Sequence, residues 1–219
     1  VAGEAGMFHL FTHAWFKALL FLGSGAVIHA CHHEQDIWKM GGLLKKMPIT
    51  GLTFAIGTAA LMAVPYVTSG FWSKEEILAA AFHSNMPLFC IAIFVAFLTT
   101  FYMTRLFVIA FLGKPRAHGA EHAHEVGPLM VVPLAVLAFM AIFAGFPFLS
   151  NSLNAYRPVA EGHAEGHLII LGASVVSLIL CLLAGFTRSN GTSKHPVSTP
   201  LFRNRFYVDG IYDNFVVRY

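Results

Sequence analysis

The sequence predicts an all-α membrane protein: a polytopic transmembrane helix bundle of about five spans with one broken helix, ending in an amphipathic helix at the interface. Three observations carry this expectation. Of the 219 residues, 57% are hydrophobic and only 11% are charged, against about 25% charged in an ordinary soluble domain. Apolar stretches recur at the length of a membrane span, which takes ~20 residues. Phenylalanine occurs 21 times, which suits a lipid-facing surface better than a compact aqueous core.

The first expected span is 8–30, "FHLFTHAWFKALLFLGSGAVIHA". The second, 49–82, is unusual. Its apolar run "ITGLTFAIGTAALMAVPYVTSGFW" is followed by "SKEE" and "ILAAAF". As one helix it would reach ~51 Å, well beyond a ~30 Å hydrocarbon layer. Pro65 removes a backbone donor and clashes with the preceding turn, and Ser69 and Gly70 follow closely. Two half-helices with an unwound middle, a device membrane proteins use at ion sites, account for this. A helix ending near Thr68 with a charged surface loop after it accounts for it equally well. Further spans are expected at 87–112, 128–149 and 167–186. The tail turns amphipathic from about Phe206, where Tyr207, Ile211, Tyr212, Phe215 and Val216 recur at roughly helical spacing with Asp209 and Asp213 between them. That pattern suits a helix lying on the membrane surface. The expected division is a five-helix bundle over 1–187 and a polar linker with the start of a lateral helix over 188–219.

The opening "VAGEAGM" has no initiator Met, and it has neither the basic start nor the cleavage site of a signal peptide, so the chain is expected to begin inside a longer polypeptide. A net charge of +3 is too small and too scattered for a nucleic-acid partner. Its placement is more telling. Lys39, Lys45 and Lys46 lie in 31–48, Arg105, Lys114 and Arg116 in and around the next loop, and Arg188, Lys194, Arg203, Arg205 and Arg218 in the tail. The positive-inside rule puts these three regions on the cytoplasmic (or matrix) side. Cys31, Cys90 and Cys181 form no CxxC pair and read as small apolar residues. The histidine tracts "AHGAEHAHE" and "EGHAEGH" fall on opposite sides in this topology and read as solvated loops without a metal. His29, His32 and His33 either cap the first span or line a proton route at its end.

Within the first span, His9, His13 and Lys17 recur every fourth residue. A four-residue step returns within ~40° of the same helical face and rises ~6 Å, so they form a ladder ~12 Å long. A single histidine in a bundle is commonly a hydrogen-bonded packing residue. A lysine near mid-span is different, because it must face protein or water and is a functional candidate by default. A dry surrounding disfavours the ammonium charge, so a buried lysine can lose and regain a proton, and histidine titrates near neutrality. This spacing is what a proton relay requires. Gly23, Ser24, Gly25 and Ala26 read as packing residues. Lys74, Glu75 and Glu76 form a second candidate site, provided the helix break is real; otherwise they are interfacial charges in water.

"FHLFTHAWFKALLFLGSGAVIHACHHEQDIWKMGGL" followed by "VPYVTSGFWSKEEIL" resembles the L-type antiporter-like membrane subunit of the proton-pumping NADH:quinone oxidoreductase, respiratory complex I. The resemblance is specific over 7–82, looser over 87–186, and returns in "FYVDGIYDNFVVRY". It implies a second inverted five-helix bundle. Lys17 then corresponds to the central lysine, His9 and His13 to the histidines beside it, and Lys74 to the terminal lysine on the broken helix. Glu75 sits where relatives carry an acid, often Asp. It further implies other membrane and peripheral complex I subunits as partners, a bacterial inner membrane location (a mitochondrial one being the second choice), and no cofactor in this chain. NADH, FMN, iron–sulfur clusters and quinone are expected on partner subunits. An Mrp-type cation/proton antiporter subunit shares the lysine and histidine pattern. Membrane subunits of related hydrogenases or inorganic-carbon uptake systems are a further class.

Overall fold

The structure, a computed structural model, describes residues 2–152, 170–176, 178–180, 182–183 and 207–208. The chain divides into two units, Val1–Ser189 and Asn190–Tyr219. Of the second, only Tyr207 and Val208 are described, both exposed. The expected lateral helix otherwise lies outside the described residues, as does the tract 161–167.

The described residues of the first unit are helices and their connections. The helices are α1 (Ala2–Ala30), α2 (Leu43–Lys46), α3 (Pro48–Met62), α4 (Ser69–Ser84), α5 (Met86–Phe111), α6 (His118–Glu121), α7 (Pro128–Phe143) and α8 (Pro147–Ser152). Residues 170–176 and 178–180 are also helical. The helix starts are legible locally. Pro stands in the first turn of α3, α5 and α7, where a missing N–H costs nothing. Asn85 caps α5 by accepting from Leu88 N at 3.1 Å. α1 begins at Ala2 rather than at residue 8, with Glu4 in its first turn, where the helix dipole favours a negative charge. The expected span 128–149 divides. α7 stops at Phe143, because Pro147 has no N–H to bond that carbonyl and its ring would collide with it.

Burial is arranged for lipid. α1 and α5 are long and apolar enough to cross a membrane, and only 17% of the most apolar stretch of α5 is buried. A soluble core helix would be mostly buried. Phe21, Ile91, Phe94, Val132 and Phe139 are all exposed, and Leu129 is 92% exposed. Helix-on-helix packing fills the interior instead. α1 packs against α3, α4 and α7, and Phe16, Leu19, Phe54, Leu61, Met103, Phe111 and Leu134 form one buried cluster. In the small-residue stretch of α1, Gly23 faces Phe54 and Ala26 is fully buried, whereas Gly25 faces open space.

The unusual span is broken. α3 ends at Met62, 63–68 is irregular, and α4 starts at Ser69. Pro65 lies inside the break, while Gly70 already belongs to α4. Ala63 and Tyr66 adopt left-handed conformations (φ 61° and 60°), costly for non-glycine residues and characteristic of functional segments. Gly70 allows the two half-helices to meet. A Cβ there would stand 1.9 Å from the Ala60 carbonyl oxygen.

The loops 31–42 and 112–127 join at one end of the bundle, consistent with their placement on one membrane side by charge. Gly42 N donates to Leu112 O at 2.9 Å. Arg116 donates to the carbonyls of Trp38, Ile37 and Ile109, and Arg105 stacks over Trp38 at 5.4 Å. Glu125 belongs to a tract read as simply solvated, yet it caps α3. Its Oε2 accepts from Ile49 N at 2.7 Å and Thr50 N at 3.3 Å, and its Oε1 from Thr50 Oγ1 at 2.6 Å. Losing such a cap costs ~1–2 kcal/mol. Glu125→Ala is therefore expected to lower the thermal unfolding midpoint of the purified protein, and Glu125→Gln to lower it less. Equal midpoints for wild type and Glu125→Ala would show that the cap contributes nothing.

Candidate functional site

α1 carries its polar groups at four-residue intervals, and the first of them, His9, meets α4. His9, His13 and Lys17 are each half-buried, and the rings of His9 and His13 lie 5.6 Å apart. Phe16 closes this face from the side, 5.2 Å from the His13 ring and 6.4 Å from that of His9. Lys17 is the sixteenth residue of the 29-residue α1, near its midpoint. It forms no hydrogen bond or ion pair with any described residue.

Two hydroxyls that the sequence reading passed over connect α1 to α4. Ser73 Oγ lies 2.9 Å from His9 Nδ1, and Thr12 Oγ1 donates to Ser73 Oγ at 2.7 Å. Both Thr12 and Ser73 are fully buried. A hydroxyl has one proton to give and two lone pairs, so Ser73 can accept from one neighbour and donate to another by rotating about a single bond. Their only local signal was position: Ser73 precedes Lys74, and Thr12 precedes His13.

Lys74, next in sequence to Ser73, turns back across the break. Its Nζ donates to Leu61 O at 2.5 Å. Leu61 is in the last turn of α3, whose final carbonyls lack intrahelical donors and carry the negative end of the helix dipole. The break thus creates a helix C-terminus inside the bundle and places a lysine on it. Of the two sequence readings, a lysine at a break and a charge in a surface loop, the structure supports the first. Lys74 in fact lies more than a turn inside α4 and reaches the break through its side chain. On the far side, Lys74 and Glu75 share with Met62, Phe71, Ile93 and Thr100 a cavity of about 20 Å³, room for one water molecule. Glu76 is half-buried on α4.

At the loop end, Cys31, His32, His33, Glu34, Lys39 and His118 line a cleft of about 340 Å³. His32 and His33 are in consecutive left-handed conformations, φ 56° and 67°, and His29 is exposed at the end of α1. Glu34 Oε2 and Lys39 Nζ pair at 2.9 Å. This hydrogen bond holds the Glu34 carboxyl below the ordinary carboxylate range and raises the Lys39 ammonium. The pair is exposed and contributes little to stability. Burial, then the nearby Glu34 charge, pushes the Cys31 thiol up, keeping it a protonated thiol.

Residues 1–100, which contain this whole line of groups, match the family described as NADH:quinone oxidoreductase/Mrp antiporter, TM. Residues 1–100 of the chain carry this family's membrane domain. The chain is 46% identical over 187 residues to the NADH-quinone oxidoreductase subunit L of Pseudomonas aeruginosa, an alignment covering 84% of this chain and 30% of that protein. It is 44% identical over 189 residues to the subunit L of Escherichia coli, with the same coverage, 84% and 30%. It is 44% identical over 244 residues to the NADH-ubiquinone oxidoreductase chain 5 of Acanthamoeba castellanii, covering 98% of this chain and 36% of that one. The chain thus spans about a third of the length of the curated relatives it matches. Among solved structures, the Mrp complex from Dietzia sp. DQ12-45-1b superposes with a TM-score of 0.56 over 85% of this chain and 39% of that chain, at 19% identity. That likeness shows a shared fold.

Proposed function

We propose that this chain is the proton-conducting portion of an antiporter-like membrane subunit of respiratory complex I, working in a bacterial inner membrane with the complex's other membrane and peripheral subunits. Residues 1–187 form its second five-helix bundle, and 188–219 lead into a lateral amphipathic helix. The observation that carries the reading is the line of protonatable groups from α1 across the break. Lys17, His13 and His9 follow one another on α1, Ser73 bridges His9 to α4, and Lys74 holds the α3 terminus beside Glu75.

In this reading Lys17 holds a proton at the middle of the membrane, and the two histidines and the Thr12–Ser73 hydroxyl pair pass it toward Lys74. Lys17 and Lys74 are the two lysines of this line, one on each side of the hydroxyl bridge. The Leu61 carbonyl steadies a charged Lys74, and Glu75, at the one-water cavity, is the acid next to the exit. In this reading NADH, FMN, iron–sulfur clusters and quinone belong to partner subunits, whose electron transfer drives the relay. The names of the relatives favour complex I over an Mrp-type antiporter, since alignments at 44% and 46% identity are to NADH-quinone oxidoreductase subunits.

The intact complex tests this in two steps. Mass spectrometry of the assembly purified in mild detergent is expected to identify flavin- and iron–sulfur-bearing subunits. Ser73→Ala, reconstituted in vesicles, is expected to lower proton pumping several-fold while leaving subunit content unchanged, because a positioned proton-transfer group contributes roughly 10²-fold or more and water can partly replace a hydroxyl. A Ser73→Ala complex that pumps at the wild-type rate would remove the bridge from the path.

A further inference from the structure

The loop between α5 and α7 carries a second chemistry, independent of the relay. His118, Glu121 and His122 are exposed, and their side-chain ligand atoms all lie within 4.8 Å of one another. Their spacing explains the convergence: positions i, i+3 and i+4 share one face of a helical turn, and α6 is that turn. The imidazoles of His118 and His122 are 4.2 Å apart, centroid to centroid.

α6 is short, but it is held in place. Its inner face consists of Ala120, which is buried, and Gly119, where a Cβ would stand 2.7 Å from the Cys31 carbonyl oxygen. Ala123 is buried next to it, and Glu125 is bound to the N-terminus of α3. With the inner face seated on the end of α1 and the downstream residues anchored, the outward direction of the three donors is determined. The loop is therefore an ordered platform with two imidazoles and one carboxylate on its open face.

We propose that His118, Glu121 and His122 form a binding site for a late first-row divalent cation of the zinc type. Two imidazole nitrogens and one carboxylate oxygen match zinc, whereas magnesium and calcium prefer all-oxygen sites. Donors around a tetrahedral zinc at ordinary bond lengths stand ~3.3 Å apart. Closing from 4.8 Å to that separation needs a movement of under about 1 Å per donor, within the reach of exposed side chains. Three protein ligands leave the fourth position to water. The positive-inside topology places the site on the cytoplasmic face, next to the cleft that His118 shares with His32 and His33. A bound ion ties α6 into a closed chelate and stiffens the loop that caps α3.

The test is a Zn²⁺ titration of the intact purified complex by calorimetry, with His118→Ala/His122→Ala, Glu121→Gln and His163→Ala/His167→Ala as comparisons. The wild type is expected to bind one more Zn²⁺ per complex than the His118→Ala/His122→Ala variant. Glu121→Gln should weaken that ion at least about tenfold, an effect that loss of an outer-shell partner already reaches. His163→Ala/His167→Ala should retain it. Zn²⁺ should also slow amide hydrogen exchange across 118–127 in the wild type and not in the double variant. Identical stoichiometry and affinity in the wild type and the His118→Ala/His122→Ala variant overturns the site, as does loss of the ion on replacing His163 and His167 alone.

Discussion

Lys17→Met in the intact complex is expected to assemble at wild-type levels and to lose proton pumping by at least about tenfold, equivalent to a barrier raised by ~1.4 kcal/mol or more. Assembly should survive because Lys17 makes no hydrogen bond or ion pair with any described residue, so its removal leaves no buried partner unsatisfied. Methionine keeps a long unbranched side chain in the half-buried slot. Pumping should fail because the midpoint of α1 then holds no titratable group, and the next one toward the membrane surface on that stripe is His13. Lys17→Arg should also impair pumping, since a guanidinium does not release its proton in proteins. A structural lysine would behave in the opposite way, with Lys17→Arg harmless and Lys17→Met defective in assembly. The measurement is a pH-sensitive dye in reconstituted vesicles, set beside subunit content by quantitative mass spectrometry. A well-assembled Lys17→Met complex that pumps at the wild-type rate would remove Lys17 from the path.

Gly70→Ala is expected to be among the most damaging single substitutions in the chain. The added Cβ would lie 1.9 Å from the Ala60 oxygen and 2.9 Å from its carbonyl carbon. Both are backbone atoms of α3, so no rotamer change relieves the clash. α4 must move away from α3, which pulls Lys74 off the Leu61 carbonyl and displaces Ser73 from His9. Overpacking of a core usually costs ~1–3 kcal/mol. A collision between two helix backbones exceeds that, in the range above ~4 kcal/mol that only a few mechanisms reach. Quantitative mass spectrometry of membranes is expected to find the variant strongly depleted. Gly25→Ala, where a Cβ meets nothing within 4 Å, should accumulate normally and controls for a general intolerance of alanine. A Gly70→Ala protein of normal abundance would contradict the close crossing of α3 and α4.

The membrane class and the helical bundle follow from sequence alone, and the reasons are local; the break is one of two readings that the sequence leaves equally open, and the structure selects it. Hydrophobic content and the length of apolar runs depend on composition. The four-residue spacing of His9, His13 and Lys17 is converted to a shared face by the helical period whatever the neighbours are. Pro65 disrupts a helix wherever it stands. The limits of this local reasoning appear at Gly70, assigned to the break by composition but helical in the structure, and at Phe143, where Pro147 ends α7 earlier than the apolar run suggests.

The cross-helix partners depended on the tertiary structure. Ser73 meets His9, Lys74 meets Leu61, and Glu125 meets Ile49 and Thr50 because of how α1, α3, α4 and the loop after α5 rotate and cross. Those rotations are set by the packing of Phe16, Leu19, Phe54 and Phe111 and by the contact at Gly70, not by any periodicity along the chain. Serine and threonine occur throughout membrane helices, so composition cannot single out Thr12 and Ser73. The Leu61 carbonyl is invisible in sequence because every residue has one. It becomes a site only where a helix ends without a donor and a lysine on the next segment can reach it.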